Sequence, residues 1–366
     1  PQQTQTLTTI DEEPVVPLAV PVGLYMRDLK RALDTARVRS YEADLSVQDA
    51  FRYRRGIRGP VRLRGSRYQG EHVRWIYKRP DMQPSDADPS LSVLSLDIET
   101  DIDNGTVLTI GLYYRFGPAG SPREERSEVL HRGPVFETDG MQLSFFEDER
   151  GLLQGMMERI RELDPDIITG WNVIDFDFRV LQTRVDQYGL RFAIGRSREA
   201  AHFLSGDEGG DESRDGRPQT RRSSAMLIPG RQVLDGARLI RNGPDRFESL
   251  SLESVSNDVL GRGKTLTFES SSDKLKRLRR LYHEDPQLFC RYCLEDARLV
   301  IEILDATGLL SLTITRSSLT GVPLQRAWAS VAAFDAIYIQ AMRQRGLVAP
   351  SFGSDALPLG EAPGGA

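Results

Sequence analysis

Residues 91–100 place two acidic side chains on one face of a β-strand, and this pattern constrains the fold more than any other part of the sequence. Because successive side chains of a strand alternate between its faces, Asp97 and Glu99 project to one side, whereas Leu96 and Ile98 project to the other. Two carboxylates this close repel each other unless a cation separates them, and hard oxygen ligands suit Mg²⁺ or Mn²⁺. Exposed strands often carry such acids without a metal, so both interpretations stay open.

The segments that follow have the pattern of an α/β domain. An Asp-Asn-Gly turn at residues 103–105 leads into an apolar run at 107–114, which predicts a β-hairpin. Apolar residues at helical spacing predict a helix over 151–163, and Ile167 and Ile168 indicate a buried strand. By contrast, residues 205–224 consist mainly of Gly, Asp, Glu, Arg and Ser without apolar periodicity, which predicts an exposed, mobile loop.

A further acidic site follows the predicted strand at Ile168. The sequence here indicates a strand that runs into a loop and then into a helix, with Asp177 in the first turn of that helix. The helix dipole favours a carboxylate at this position whether or not it binds a metal, so helix capping and metal binding are both consistent with the local sequence. Asp175 is the nearest competing candidate.

The long helix predicted over residues 286–309 distinguishes between neighbouring acids. Projected at 100° per residue, Asp296 lies inside the apolar stripe, whereas Glu295 lies on the opposite, charged side. A carboxylate inside the stripe needs a metal, a proton or a donor to offset its desolvation, which makes Asp296 a functional candidate. Tyr292, one turn earlier, directs its hydroxyl to the same side.

The charge distribution favours a nucleic-acid partner despite a net charge of −5. Residues 51–80 contain ten arginines and lysines and one acid, Glu71, with aromatic residues interleaved. Such a segment can neutralise phosphates and stack on bases. Solvated strand faces with buried aromatic residues would have the same composition, so this alternative stays open.

Cysteine and histidine content excludes a disulfide framework and a zinc site. The two cysteines, Cys290 and Cys293, are predicted to be small buried residues on one helix, and four scattered histidines complete no metal site. No stretch of 18 uninterrupted apolar residues occurs, and the start of the chain lacks the pattern of a secretory signal. We therefore expect a cytoplasmic, nucleoid-associated protein that is not in a membrane.

Taken together, the acidic segments resemble the exonuclease motifs of family-B DNA polymerases. The motifs are Asp97-Ile98-Glu99-Thr100, Asn172-x3-Phe176-Asp177 and Tyr292-x3-Asp296. Position 291 is Arg rather than the histidine of the alternative subclass, so the tyrosine subclass is implied. The flanking segments 247–264 and 321–350 are similar to the bacterial DNA polymerase II branch.

This resemblance implies a ribonuclease-H-like α/β exonuclease fold, a mixed sheet flanked by helices, with a β-rich amino-terminal domain. We expect the amino-terminal domain at residues 1–90, the exonuclease at 91–311, and a segment at 312–366 that returns to the amino-terminal domain, with a helix over 330–346. No D-x-x-S-L-Y-P-S-like motif and no D-T-D motif occur in the sequence. We therefore expect a chain truncated before the palm, without a polymerase active site.

The implied activity is proofreading in DNA replication and repair: 3′→5′ hydrolysis of terminal nucleotides from single-stranded or mismatched DNA, with two Mg²⁺ or Mn²⁺ ions ~4 Å apart. Asp97, Glu99 and Asp296 would hold one ion, Asp97 would bridge to the second, and Asp177 would act through coordinated water. Tyr292 would position the attacking water. The DNA-contacting residues implied by the same motifs are Thr100, Asn172 and Phe176.

Single-stranded 3′ ends and primer-template DNA are the implied partners, together with a sliding clamp bound through a part of the enzyme outside this chain. The sequence carries no oligomeric signal, and we expect a monomer. A DNA-binding scaffold with a silent exonuclease is one alternative, against which the presence of all four acids argues. A free-standing nuclease that acts on RNA is another, and the carboxy-terminal segment argues against it.

Overall fold

A computed structural model describes residues 6–20, 26–71, 73–88, 90–117, 124–206, 223–266 and 271–351. The chain divides into two compact units. One unit contains residues 1–66, 79–88 and 314–366, and the other contains residues 67–78 and 89–313.

The larger unit is built on a six-stranded mixed sheet with the strand order β10-β9-β8-β7-β11-β14. The pairs β7/β8 and β8/β9 are antiparallel, whereas β9/β10, β7/β11 and β11/β14 are parallel. Its strands are β7 (Val93–Thr100), β8 (Val107–Phe116), β9 (Glu124–Arg132), β10 (Leu143–Phe146), β11 (Ile167–Gly170) and β14 (Gln232–Asp235). Two short hairpins, β4 (Arg67–Gln69) with β5 (Trp75–Tyr77) and β12 (His202–Leu204) with β13 (Ala225–Leu227), belong to the same unit.

Helices cover both faces of this sheet, as the strand pattern requires. Leu96 and Ile98 of β7 belong to a buried core with the apolar residues of α3 and α4, whereas Leu108 of β8 packs with Phe289 and Tyr292 of α8. Each fully buried Leu or Phe stabilises the fold by roughly 2 kcal/mol. The helices are α3 (Glu149–Leu163), α4 (Arg179–Gln187), α5 (Gly236–Asn242), α6 (Leu252–Leu260), α7 (Ser271–Glu284) and α8 (Pro286–Ala306).

The smaller unit combines short strands with helices. Its strands are β1 (Leu7–Thr8), β2 (Pro14–Val15), β3 (Val61–Arg64) and β6 (Asp81–Pro84), which form two separate two-stranded sheets. Its helices are α1 (Met26–Thr35), α2 (Val47–Arg55) and α10 (Ser330–Gln344), with a 3-10 turn at Leu324–Arg326. Helix α9 (Leu309–Thr320) contains residues of both units.

The structure confirms the elements predicted from periodicity: the hairpin around residues 103–105, the helices over 151–163, 286–309 and 330–346, and the strand at Ile167 and Ile168. The predicted mobile loop falls mainly on residues 207–222, which lie outside the described residues. Helices α1 and α2 are not predicted by the sequence analysis. Within the described ranges, no helix combines the length and apolar character needed to cross a bilayer.

The basic segment at residues 51–80 forms the second half of α2 and the short strands β3 to β5. Tyr68 and Trp75 are exposed, so these two aromatic residues are not part of a core. The Arg67 guanidinium lies 4.1 Å from the centre of the Trp75 ring. A role of this segment in DNA binding stays a prediction.

Candidate active site

Strand β7 carries Asp97 and Glu99 on the face opposite its core leucines. Asp97 pairs with Gly111 of β8, and Glu99 pairs with Thr109. The register shifts between Glu99 and Thr100, which ends the regular pairing just after the second acid. Both acids therefore lie near the end of a strand whose first four residues are buried.

Helix α8 brings Asp296 to the same place. Gly111 makes this approach possible, because a Cβ at that position would lie 2.7 Å from the carbonyl oxygen of Cys293. The Cys293 thiol in turn donates to the carbonyl oxygen of Asp97 at 3.4 Å. Carboxylate oxygens of Asp97, Glu99 and Asp296 all lie within 4.8 Å of one another.

Asp177 approaches the cluster from the segment after β11. It lies in a π-helical turn, Ile174–Phe178, that continues directly into α4, rather than in the first turn of α4 itself. Its side chain is 2% exposed and accepts a hydrogen bond from the Ile98 amide at 3.1 Å. Asp175 is directed elsewhere: it forms an ion pair with Arg238 at 2.6 Å and accepts from the Ser224 hydroxyl.

The negative charge of these carboxylates needs a compensating cation. Burial raises the pKa of Asp97 well above its usual range, and the carboxylates of Asp296, Asp177 and Glu99 raise it further. Burial likewise raises the pKa of Asp177 well above its usual range. A group of buried carboxylates is stable when a cation or a proton compensates the charge, and oxygen-only donors are the ligands that Mg²⁺ and Mn²⁺ prefer. The donor set therefore fits a divalent metal ion.

Lys264 is a functional candidate that the sequence analysis did not single out as a site residue. Its ammonium donates to the Asp296 carboxylate and lies 3.3 Å from the Tyr292 hydroxyl. Burial lowers the pKa of Lys264, but Asp296 and Asp97 raise it more, so the net shift is upward and the ammonium stays charged. The prediction that Tyr292 and Asp296 share one side of α8 is confirmed by this shared contact.

Tyr292 is fully buried and belongs to the small core beneath the carboxylates. Burial raises the pKa of its hydroxyl, and the charges of Asp296, Glu99 and Asp97 raise it further. The hydroxyl is therefore neutral at physiological pH. It can donate or accept a hydrogen bond, and it is not a base.

These residues line a cleft of about 520 Å³ in the larger unit. Asp97, Glu99, Asp177, Asp296 and Lys264 form its acidic end. Thr100 and Phe176 also line it, and the Phe176 ring is 43% exposed. Asn172 is not among the described residues that line the cleft; it adopts a left-handed conformation (φ 59°), and its carbonyl oxygen accepts from the Phe176 amide at 3.0 Å.

The neighbouring acid and the cysteines lie where the helix projection places them. Glu295 forms an ion pair with Arg262 outside the cleft, whereas Asp296 is buried in it. Cys290 and Cys293 are both free and buried on α8, which confirms their interpretation as small apolar residues.

Comparison with known proteins identifies a family match. The family described as DNA polymerase family B, exonuclease domain, matches residues 38–255. DNA polymerase II of Escherichia coli (strain K12) is 29% identical over 359 residues, which cover 94% of this chain and 41% of that protein. The DNA polymerase delta catalytic subunit of Glycine max is 28% identical over 193 residues, which cover 50% of this chain and 16% of that protein.

A solved structure shares the fold. The family B DNA polymerase from the hyperthermophilic archaeon Pyrobaculum calidifontis matches with a TM-score of 0.59 and 19% identity, over 89% of this chain and 40% of that one. The chain thus spans about two fifths of the length of both the bacterial relative and this structural neighbour.

Proposed function

Since the chain belongs to the family B DNA polymerases, through their exonuclease domain, we propose that it hydrolyses the 3′-terminal nucleotide of single-stranded or mismatched DNA. In this role it would be the proofreading part of a DNA polymerase of replication and repair. The observation that carries the proposal is the group of carboxylates of Asp97, Glu99 and Asp296 within 4.8 Å of one another in a cleft.

Asp97, Glu99 and Asp296 would hold the metal, with Asp177 alongside, and two Mg²⁺ or Mn²⁺ ions fit the family pattern. Bound ions of this kind polarise a phosphodiester and lower the pKa of an attacking water. The protein's contribution is a fixed arrangement of oxygen donors on one strand and two helical segments. The Ile98 amide holds Asp177 in position by a hydrogen bond of 3.1 Å.

Tyr292 and Lys264 would act on the water and on the developing negative charge. The neutral hydroxyl of Tyr292 can orient a water molecule by hydrogen bonding, which sets the direction of attack. The ammonium of Lys264 lies beside Asp296 and offers a positive charge at the same end of the cleft. Fixed donors of this kind stabilise negative charge in a site with little water.

Selectivity for frayed ends follows from the shape of the site. A terminal nucleotide must leave its duplex before it can enter a cleft of about 520 Å³, and a mismatched end leaves more readily. The exposed ring of Phe176 offers a stacking surface for an unpaired base, and Thr100 offers a hydroxyl in the same cleft. Asn172, which lies outside the cleft lining and accepts from the Phe176 amide, would contact the terminal nucleotide only when that nucleotide extends beyond the cleft.

We extend this proposal from the exonuclease to the complete DNA polymerase. We assign primer-template DNA as the substrate and a sliding clamp as a partner that binds outside this chain. We further propose a monomeric exonuclease unit that works at the nucleoid in the cytoplasm.

The experiment that tests the function is degradation of a 5′-labelled single-stranded DNA at low salt, with and without Mg²⁺. The expected result is a Mg²⁺-dependent ladder that shortens from the 3′ end and disappears in the Asp97→Ala/Glu99→Ala variant. Glu295→Ala/Glu302→Ala is the matched control, because both of its acids pair with Arg262 outside the cleft.

Two outcomes would contradict the proposal. No ladder, despite measurable binding of DNA and metal, would favour a DNA-binding scaffold with a silent exonuclease. Faster degradation of an RNA of the same sequence would favour a nuclease that acts on RNA.

A further inference from the structure

Helix α7 lines the same cleft as the carboxylates. Leu275, Leu278, Arg279 and Tyr282 follow the spacing i, i+3, i+4, i+7 and all line the cleft. This spacing places them on one face of the helix. The cleft is therefore lined both by the carboxylates and, from α7, by apolar side chains and the guanidinium of Arg279.

The cleft-facing side of α7 is anchored to the core of the larger unit. The Tyr282 hydroxyl donates to the carbonyl oxygen of Arg132 at 2.6 Å, and its ring packs edge-on against Phe289 at 5.4 Å. Leu278 is buried in the same small core as Leu108 and Phe289. These contacts fix the backbone from which Arg279 extends.

Arg279 forms an ion pair with a residue of the turn that follows strand β7. Its guanidinium lies 2.9 Å from the carboxylate of Asp103, which is four residues after Glu99. The turn itself is rigid, because the Asp101 side chain accepts from the Asp103 amide at 2.9 Å. Asp103 is thus a turn residue, as the sequence analysis predicts for residues 103–105, and its carboxylate contacts a residue that lines the cleft.

The Arg279–Asp103 ion pair is solvent-exposed, with 61% and 59% of the two side chains accessible. Exposed pairs of this kind stabilise a protein by about 0–1 kcal/mol. A guanidinium can instead bind a phosphate through two parallel hydrogen bonds, which are charge-assisted and stronger. Little free energy therefore opposes the exchange of the Asp103 carboxylate for a phosphate.

We propose that Arg279 binds a backbone phosphate of the DNA strand, and that Asp103 holds the Arg279 side chain at the cleft until that phosphate displaces it. This inference rests on the proposed function, because it assigns a substrate contact to the same cleft. The cluster of carboxylates repels a polyanion, and a cation that lines the same cleft compensates part of that repulsion. Asp103 occupies the position of the phosphate in the absence of DNA.

The test is binding of a fluorescent oligothymidylate in EDTA, so that the DNA stays intact, at several salt concentrations. Arg279→Ala is expected to weaken binding about tenfold at low salt and to reduce the slope of log K against log salt by about 0.7, the value for one phosphate contact to a single strand. Asp103→Asn is expected to tighten binding severalfold, because it frees Arg279.

The double variant separates competition from a general charge effect. If Asp103 acts by pairing with the Arg279 guanidinium, then Asp103→Asn should have no effect on DNA affinity in a chain that already carries Arg279→Ala. Arg280→Ala is the matched control, since it removes the same charge from an adjacent exposed position of α7 that does not line the cleft. Its effect on affinity should stay below about twofold.

Two results would overturn this inference but leave the proposed function intact. Arg279→Ala could bind DNA as tightly as the wild type does, or Asp103→Asn could raise DNA affinity equally with and without Arg279. A wild-type chain that binds no single-stranded DNA at low salt would instead overturn the proposed function together with this inference. The two failures are therefore distinguishable in one set of titrations.

Discussion

The ammonium of Lys264 lies 3.3 Å from the hydroxyl of Tyr292 and donates to the carboxylate of Asp296. One partly buried cation thus contacts both residues that α8 contributes to the site. In the absence of a metal ion, Lys264 compensates part of the negative charge of the carboxylates, and a divalent cation would supply further positive charge at the same place.

Replacement of Lys264 by methionine should therefore make stability depend more strongly on divalent metal. Removal of one partner of a buried ion pair costs about 3–5 kcal/mol, so Lys264→Met should lower the free energy of unfolding by that order in EDTA. Mg²⁺ should restore more stability to the variant than it adds to the wild type. Thermal unfolding with and without Mg²⁺ measures both effects. Lys276→Met, at an exposed position of α7, is the control, and an equal Mg²⁺ effect in wild type and Lys264→Met would contradict the prediction.

The Asp97 carboxylate should be required for metal binding but should lower the free energy of unfolding when no metal is bound. Because its pKa is raised, its ionised form is disfavoured in the folded state, and the isosteric Asp97→Asn variant should be about 1 kcal/mol more stable in EDTA at pH 7. The same variant should lose the Mg²⁺-induced gain in melting temperature and at least about 100-fold in exonuclease rate.

Asp175→Asn is the matched control for this trade-off and should change stability in the opposite direction. Burial raises the pKa of Asp175, but the hydrogen bonds from Ser224 and Arg238 lower it more, so the net shift is downward and its charge is favourable. The prediction fails if Asp97→Asn and Asp175→Asn shift the melting temperature in the same direction.

Tyr292→Phe should slow catalysis without weakening DNA binding. The substitution keeps the buried ring and removes only the hydroxyl that we assign to orienting the water. The expected result is a fall in kcat of about 10- to 100-fold with an unchanged KM, which is the pattern for an interaction made in the transition state. Since burial and the neighbouring carboxylates keep this hydroxyl neutral, the shape of the pH–rate profile between pH 6 and 9 should not change. Tyr113→Phe, on β8 outside the cleft lining, should leave kcat unchanged.

The sequence predicts three acidic residues of the site because a regular pattern fixes the face on which each one lies. Asp97 and Glu99 follow the period of a strand, and Asp296 interrupts the apolar stripe of a helix. In the structure the carboxylates of these three residues converge. The family resemblance adds the order of the motifs, and the family model matches residues 38–255, which include the first two of them.

The sequence does not predict Lys264, because its position depends on tertiary packing. It lies in the irregular segment after α6, where its amide donates to the Glu253 carboxylate at 2.8 Å. No periodicity connects this segment to α8. Helix α2 was missed for a different reason: its apolar residues are few, although Ser46, which accepts from the Asp49 amide at 3.0 Å, marks its beginning.

Gly111→Ala should disrupt the site by pushing α8 away from the sheet. The new Cβ would meet the carbonyl oxygen of Cys293 at 2.7 Å and the Cα of Leu294 at 3.0 Å, and backbone atoms cannot move aside as a flexible side chain can. We expect a loss of about 1–3 kcal/mol in the free energy of unfolding and a weaker Mg²⁺ effect on stability. Gly59→Ala, where the nearest atom would lie 3.6 Å away, is the control. Wild-type stability of Gly111→Ala would show that the helix can adjust.

His131 should make the stability of the larger unit depend on pH below neutrality. Its ring is buried against the Thr109 hydroxyl and the Cys290 thiol, and burial, with the charge of Arg132, lowers its pKa to about 4. An unfolded chain protonates this histidine near pH 6.5, so between pH 6.5 and 4 the unfolded state binds more protons. The contribution of His131 to stability is therefore complete above pH 6.5 and is lost as the pH falls towards 4, by an amount on the order of 3 kcal/mol.

The measurement is urea unfolding of the wild type and of His131→Gln at intervals from pH 7.5 to 4.5. The variant lacks the titrating ring, so the difference in free energy of unfolding between the two proteins should shrink as the pH falls through this window. His202→Gln, at an exposed position of β12, is the matched control for the loss of an imidazole. Parallel curves for wild type and His131→Gln would mean that the buried ring does not control the acid response, and that carboxylates elsewhere in the chain do.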